Sequence, residues 1–330
     1  MNRTETMSGA ALDAMIHVLD LVPGDRVLVV TDNATSACGE AFSEGAKSYG
    51  CPVNIYNLPE HNRPLQAMPD EMPGLLDDAT VVINAIVGDC FEIPFRLQWI
   101  NVIELCGHIR MGHSPGINED MMVSGPMNVD YRKMLAMAGD LMGGFAGAEA
   151  VHITTVAGTD LRLDLRDRTF IHDLKSTVEV GANLPCGEIY CAPVETGADG
   201  ILVVDGSFGC HGPVSPSVTI TVNSGQAVDV TGGTDEIVGR INELMDTDKG
   251  SRTIAELGIG LNPGARMSKR MLEAEKASRT AHIAFGSNEG FPGGQNHSIT
   301  HLDYLFLRPT MEVFYPDGAS RLVMEDGEPV

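Results

Sequence analysis

Around residues 134–147, in the stretch MLAMAGDLMGGFAG, the hydrophobic pattern of this chain changes, and no single layered architecture satisfies both sides of the change. Upstream, short apolar runs alternate with amphipathic stretches. Residues 7–21 carry Ala11, Met15, Val18 and Leu19 at helical spacing, and Pro23-Gly24-Asp25 is a turn. RVLVVT, 26–31, is a continuous apolar run of the kind that a buried parallel strand needs. Residues 34–49 read as a helix stopped by Gly50, and 52–58, 79–85 and 102–105 read as further strands. This β-α-β-α rhythm predicts a Rossmann-like α/β domain with a mainly parallel sheet over 1–147. Neither Gly-x-Gly-x-x-Gly nor a Gly-Lys-Ser/Thr loop follows the first strand, so a nucleotide site is not expected.

Downstream, strand-like runs follow one another: HITTVAG, LRLDLR, GILVVDG, SVTITVNSG and AVDVTGG. Several alternate polar and apolar residues, as half-exposed antiparallel strands do. Helices are expected over 235–247 and 267–279, and a closing hairpin through Pro316-Asp317-Gly318. The reading is a strand-rich α+β domain over 148–330.

Three good ligands for divalent metals stand close together near the end of that domain. His301 and Asp303 open the run HLDYLFL, and residues two apart on a strand point to the same side. His282 opens HIAFG, a second strand-like run. A Gly- and Asn-rich loop, SNEGFPGGQNHS, joins the two runs and is long enough to cover a small site. Two carboxylates upstream, Glu188 in NLPCGEIYCAP and Glu256 in AELGIGLNPGA, sit alone among small and apolar residues. Burying such a group requires a positive partner, and Arg and Lys are sparse here, so a metal ion is the matching partner. Two His and three carboxylates suit two hydrolytic ions better than one tetrahedral ion.

The segments GTDLRLDLRDR (158–168), NLPCGEIYCAP (183–193), GSRTIAELGIGLNP (250–263), AHIAFGS (281–287) and SITHLDYLF (298–306) resemble, in order, the aminopeptidase T / aminopeptidase S family of dinuclear metallopeptidases. The resemblance assigns metal ligation to Glu188, Glu256, His282, His301 and Asp303. It implies two divalent ions (zinc, cobalt or manganese, with iron as an option) and a homodimer whose site faces an enclosed cavity. A catalytic Tyr stands seven residues after the first His in the family, and Glu289 holds that position here. The 2,5-dihydroxypyridine dioxygenases are similar too. They keep the final His-x-Asp, have a His at the position of Glu256, and lack a counterpart of His282, so this chain sides with the hydrolases.

The expectation is therefore a metal-dependent hydrolase of a C–N bond, in a short peptide or a small amide. The alternatives are a mononuclear iron ring-cleaving dioxygenase and a non-catalytic metal binder. Glu188, Glu256 and Glu289 are the candidate proton acceptors, and His108, His113, His211 and His297 the candidate substrate contacts. His17, His152 and His172 read as structural. A net charge of -23 argues against nucleic acid and anionic lipid as partners. Seven Cys without a C-x-x-C pair fit free thiols in a reducing compartment. The stretch MNRTETMSGAALDAM lacks a basic region followed by an apolar core, and no apolar run reaches membrane length, so a cytoplasmic location is expected.

Overall fold

The computed structural model describes residues 3–209 and 211–330. Cys210 and the side chain of Cys90, two of the seven expected thiols, lie outside the described residues. Cys38, Cys51, Cys106, Cys186 and Cys191 are free. The chain forms two compact units, and neither is continuous in sequence. The first comprises the residues up to Lys133 together with Asp173–Cys186, and the second comprises Met134–His172 together with Gly187–Val330.

The first unit is an α/β layer structure. Its five strands are parallel, in the order Val53–Asn57, Val27–Thr31, Val81–Ile86, Arg110–Pro115 and Ala182–Asn183. The two strands Val27–Thr31 and Val81–Ile86 are buried at every position, which explains their unbroken apolar runs. Helix Ile93–Leu105 presents Phe95, Trp99 and Ile103, four residues apart, to Leu28, Val30, Val82 and Ile86. Asn84, fully buried in mid-strand, accepts a hydrogen bond from the Trp99 indole at 2.7 Å, so its burial leaves no unmet polar group there. Residues 102–105, expected as a strand, are the last turn of this helix. Four apolar residues carry no period of their own, and Pro94 in the first turn starts the helix well upstream. The fourth strand is instead RMGHSP, whose polar letters hid it.

The second unit holds two antiparallel sheets of eight and seven strands. In the eight-stranded sheet Asp160–Asp164 and Val218–Asn223 alternate buried positions with exposed or half-buried ones, as their sequences indicate. The final hairpin joins Thr310–Phe314 to Ser320–Glu325. Helix Asp235–Met245 is capped by the Thr234 hydroxyl, which accepts from the Ile237 N–H. The helix expected over 267–279 shrinks to the single turn Met271–Ala274. Backbone bonds from Asn262 N to Lys276 O (2.8 Å) and from Ser278 N to Asn262 O (3.0 Å) draw this segment along a strand end instead. Tertiary pairing here overrides helix propensity. No helix among the described residues is long and apolar enough to cross a membrane.

Candidate metal centre

Four strands of the seven-stranded sheet carry the candidate ligands: Glu188–Cys191, Ile254–Gly260, Thr280–Gly286 and His301–Leu307. Glu256 pairs across Ala284 to Asp303, His282 lies opposite Gly258, Glu188 opposite Gly260, and His301 opposite Gly286. Residues directly opposite, and residues two apart along a strand, share a face. All five side chains therefore project from one face of the sheet. Gly258 makes the convergence possible. A Cβ there would lie 2.1 Å from Nε2 of His282, so the imidazole lies across a position that only hydrogen can occupy.

The ligand atoms form two overlapping triads, Glu188–Glu256–His282 and Glu256–His301–Asp303, each with its atoms within 4.8 Å of one another. Glu256 belongs to both. Its Oε1 is 3.5 Å from Nε2 of His282, and its Oε2 is 3.0 Å from Nε2 of His301. Glu188 Oε2 is 3.8 Å from His282 Nε2, and Asp303 Oδ1 is 3.4 Å from His301 Nε2. Ligands about 2.0–2.1 Å from a tetrahedral ion stand about 3.3 Å apart, close to these separations. His301 Nδ1 donates to the Ser287 carbonyl at 2.7 Å, which directs Nε2 to the carboxylates and leaves it as the free acceptor nitrogen that metal ligation requires. The donor set and its spacing fit divalent metal.

The electrostatics point the same way. Burial favours neutral imidazoles, yet Glu256, Asp303 and Glu188 outweigh it and push His282 up to about 9. Burial acts on His301 in the same sense, and Asp303 and Glu256 lift it well above its ordinary value. Burial alone would raise the Glu256 and Asp303 carboxyls, but the two histidines hold both below the usual range. A centre that draws protons onto its imidazoles this strongly can exchange them for a cation.

The structure adds a cation that the sequence did not reveal. Lys276, fully buried, meets Glu188 Oε1 at 2.5 Å and Glu275 Oε1 at 2.7 Å. Arg and Lys are sparse around Glu188 in sequence, but a protein cation already meets one of its oxygens. In AEKAS this Lys reads like any solvated helical residue, and the one available hint was its place between Ala residues just ahead of the His282 strand.

The remaining candidates lie outside the two triads. Glu289 and His297 are paired at 2.5 Å in the covering loop, where their side chains are 57 % and 78 % exposed. Between them Phe291 sets its ring edge-on to His301 at 5.7 Å and tilted against Tyr190 at 5.1 Å. His211 is exposed and stacks on Phe208 at 4.9 Å, in a turn whose Gly209 N–H donates to the Asp303 carbonyl at 3.1 Å. His108 and His113 belong to the first unit. There His108 Nδ1 lies 2.8 Å from the Cys106 carbonyl, and His113 lies beside Asn84 in the sheet, its imidazole lowered to about 3 by burial. Cys191, near Glu256, is fully buried, and burial raises its thiol far above the ordinary range.

Two side chains outside the ligand set tie down the covering loop. Glu195, itself paired with Arg168 at 2.7 Å, accepts from Asn288 Nδ2 (2.8 Å) and Gln295 N (2.7 Å). Asp248 accepts from Ile299 N (2.7 Å) and from the Ser298 hydroxyl (3.0 Å).

The sequence profile of a family described as thermophilic metalloprotease (M29) matches residues 145–328. Among curated proteins, aminopeptidase AmpS of Bacillus subtilis is 26 % identical over 195 residues, 52 % of this chain and 47 % of that protein. Aminopeptidase T of Thermus thermophilus is 28 % identical over 162 residues, 44 % of this chain and 39 % of the relative. These alignments span less than half the length of each relative. Among solved structures, wild-type AmpT of Thermus thermophilus superposes with a TM-score of 0.70 at 17 % identity, covering 99 % of both chains. A 2,5-dihydroxypyridine dioxygenase of Pseudomonas putida superposes with 0.69 at 17 % identity, covering 99 % of this chain and 96 % of its own. At such identity both likenesses speak for the fold alone.

Proposed function

We propose, from the premise that the chain belongs to the thermophilic metalloprotease (M29) family, that it is a metallohydrolase which cleaves a C–N bond at a peptide N-terminus or in a small amide. The observation that carries this reading is the position of Glu256, one oxygen toward each histidine, between two triads of ligand atoms. Glu188, Glu256 and His282 would hold one ion, and Glu256, His301 and Asp303 a second, with zinc, cobalt or manganese the metals that suit this donor set. Divalent metal, when bound, supplies a water of lowered pKa and polarises the scissile carbonyl.

The protein's own residues supply the rest. The Ser287 carbonyl keeps the His301 ring in one tautomer and orientation. Phe291, beside His301 and packed against Tyr190, offers aromatic surface that would exclude bulk water from a bound substrate. Glu289 stands where the family has a Tyr. We assign to it acceptance of a proton from the attacking water and transfer of that proton to the leaving nitrogen, with His297 at 2.5 Å orienting its carboxylate. A carboxylate cannot donate to an oxyanion unless protonated, so the reading favours a substrate whose N–H or amine faces Glu289. His211 is assigned as a substrate contact through its turn, which is bonded to the Asp303 backbone. A homodimer and a cytoplasmic setting complete the proposal, the latter in keeping with five free thiols.

The test is metal analysis of protein purified without chelator, followed by assays of aminoacyl peptides and small amides with zinc, cobalt and manganese. We expect metal-dependent hydrolysis, and loss of both metal and turnover in His301→Ala. Oxygen uptake with iron would replace the hydrolase by the dioxygenase reading, and absence of turnover with every metal would leave a binding protein. Glu289→Gln should retain metal and lose turnover, by about 10²–10⁴-fold for a lost acid–base group. Unchanged turnover would remove Glu289 from the mechanism. Light scattering tests the dimer.

A further inference from the structure

We propose that Lys276 is a positioning residue that makes the two halves of the centre unequal, so that Glu256, His301 and Asp303 bind a divalent ion before Glu188, Glu256 and His282 do. This rests on the reading above that both triads hold metal.

The Lys276 side chain is fully buried, and its ammonium touches Glu188 Oε1 at 2.5 Å and Glu275 Oε1 at 2.7 Å. One oxygen of Glu188 is thus committed to a fixed positive charge, and the other faces His282 at 3.8 Å. An ion in that half would sit one carboxylate away from the ammonium. Buried charges are screened little by salt, so the repulsion persists at ordinary ionic strength. The ammonium is held in place by the full burial of its side chain and by its two carboxylate contacts.

The other half carries less of this burden: the field of Lys276 reaches Asp303, while its ammonium lies against Glu188. Among the described residues, Asp303 and Glu256 Oε2 both form close ion pairs with His301. Access differs too. The side chains of His301 and Asp303 are 33 % and 12 % exposed, whereas those of Glu188 and His282 are 8 % and 2 % exposed. An ion entering the inner half gives up more of its water. Fixed charge and burial both favour the His301 half.

The experiment is a calorimetric titration of metal-stripped protein with zinc. The wild type should bind in two steps separated by at least about tenfold. His301→Ala should remove the tighter step, and His282→Ala the weaker. Lys276→Met should narrow the separation by about tenfold or more, and Lys276→Arg, which keeps the charge, should preserve it. Circular dichroism verifies that each variant is folded; if Lys276→Met does not fold, the two histidine variants decide alone. Two equal steps in the wild type, loss of the tighter step in His282→Ala, or an unchanged separation in folded Lys276→Met would each overturn the proposal. Equal steps would leave the metallohydrolase reading intact, whereas absence of any zinc binding would end both.

Discussion

A methyl group at position 258 would lie 2.1 Å from Nε2 of His282, which makes Gly258 as restrictive as the candidate ligands themselves. In Gly258→Ala the His282 ring must rotate out of line with Glu256. We expect metal affinity to fall by about 10–100-fold, as for loss of a residue that orients a ligand. Competition with a chelator measures it, and circular dichroism should report an intact fold. The pair His301 and Asp303 was legible in the sequence because a strand's two-residue period alone brings them to one side. Glu188 and Glu256 were legible because a lone carboxylate among glycines and apolar residues demands a partner. Lys276 and Gly258 were not, since each matters only through a neighbour on another strand. Nothing in LEAEKAS or ELGIG announces which strand comes alongside.

Among elements, the covering loop from Ser287 to Thr300 depends on its two anchors. N–H donors, foremost that of Ile299, hold the Asp248 carboxyl down at about 2 against the opposing effect of burial, with Gly250, Ser298 and Ser251 contributing. A carboxyl lowered in the fold adds stability above its ordinary value near 3.8, and that contribution is lost as pH falls toward about 2. Asp248→Asn should therefore melt below the wild type at pH 6, with the difference shrinking between pH 4 and pH 2. At neutral pH the Ile299 amide of the variant should exchange its hydrogen roughly tenfold faster or more. A pH-independent difference in melting temperature would refute the role given to the charge. Elements with a period were readable, as RVLVVT and the Asp235–Met245 helix illustrate. RMGHSP and residues 267–279 were not: pairing with a neighbouring strand made the first a strand, and bonds to Asn262 unwound the second.

At the scale of the whole molecule, 45 acidic side chains face 22 basic ones, and the net charge of -23 repels itself in the folded state. Melting temperature should rise as sodium chloride increases from about 10 mM to about 500 mM, because the screening length falls from tens of ångströms to a few. A flat or falling profile would mean that local ion pairs, such as Arg168–Glu195, outweigh the global repulsion. The sequence pattern switches near residues 134–147, but nothing in it signals the later return of the chain to the first unit, because the short strand Ala182–Asn183 is too brief to carry a signal. That return governs the order of birth. As a nascent chain leaves the ribosome, the parallel sheet stays open along the Arg110–Pro115 strand until Ala182 and Asn183 arrive, and by then the opening strands of the second unit have already emerged. A fragment cut at residue 133 would keep that edge bare, as a template for the strands of other molecules.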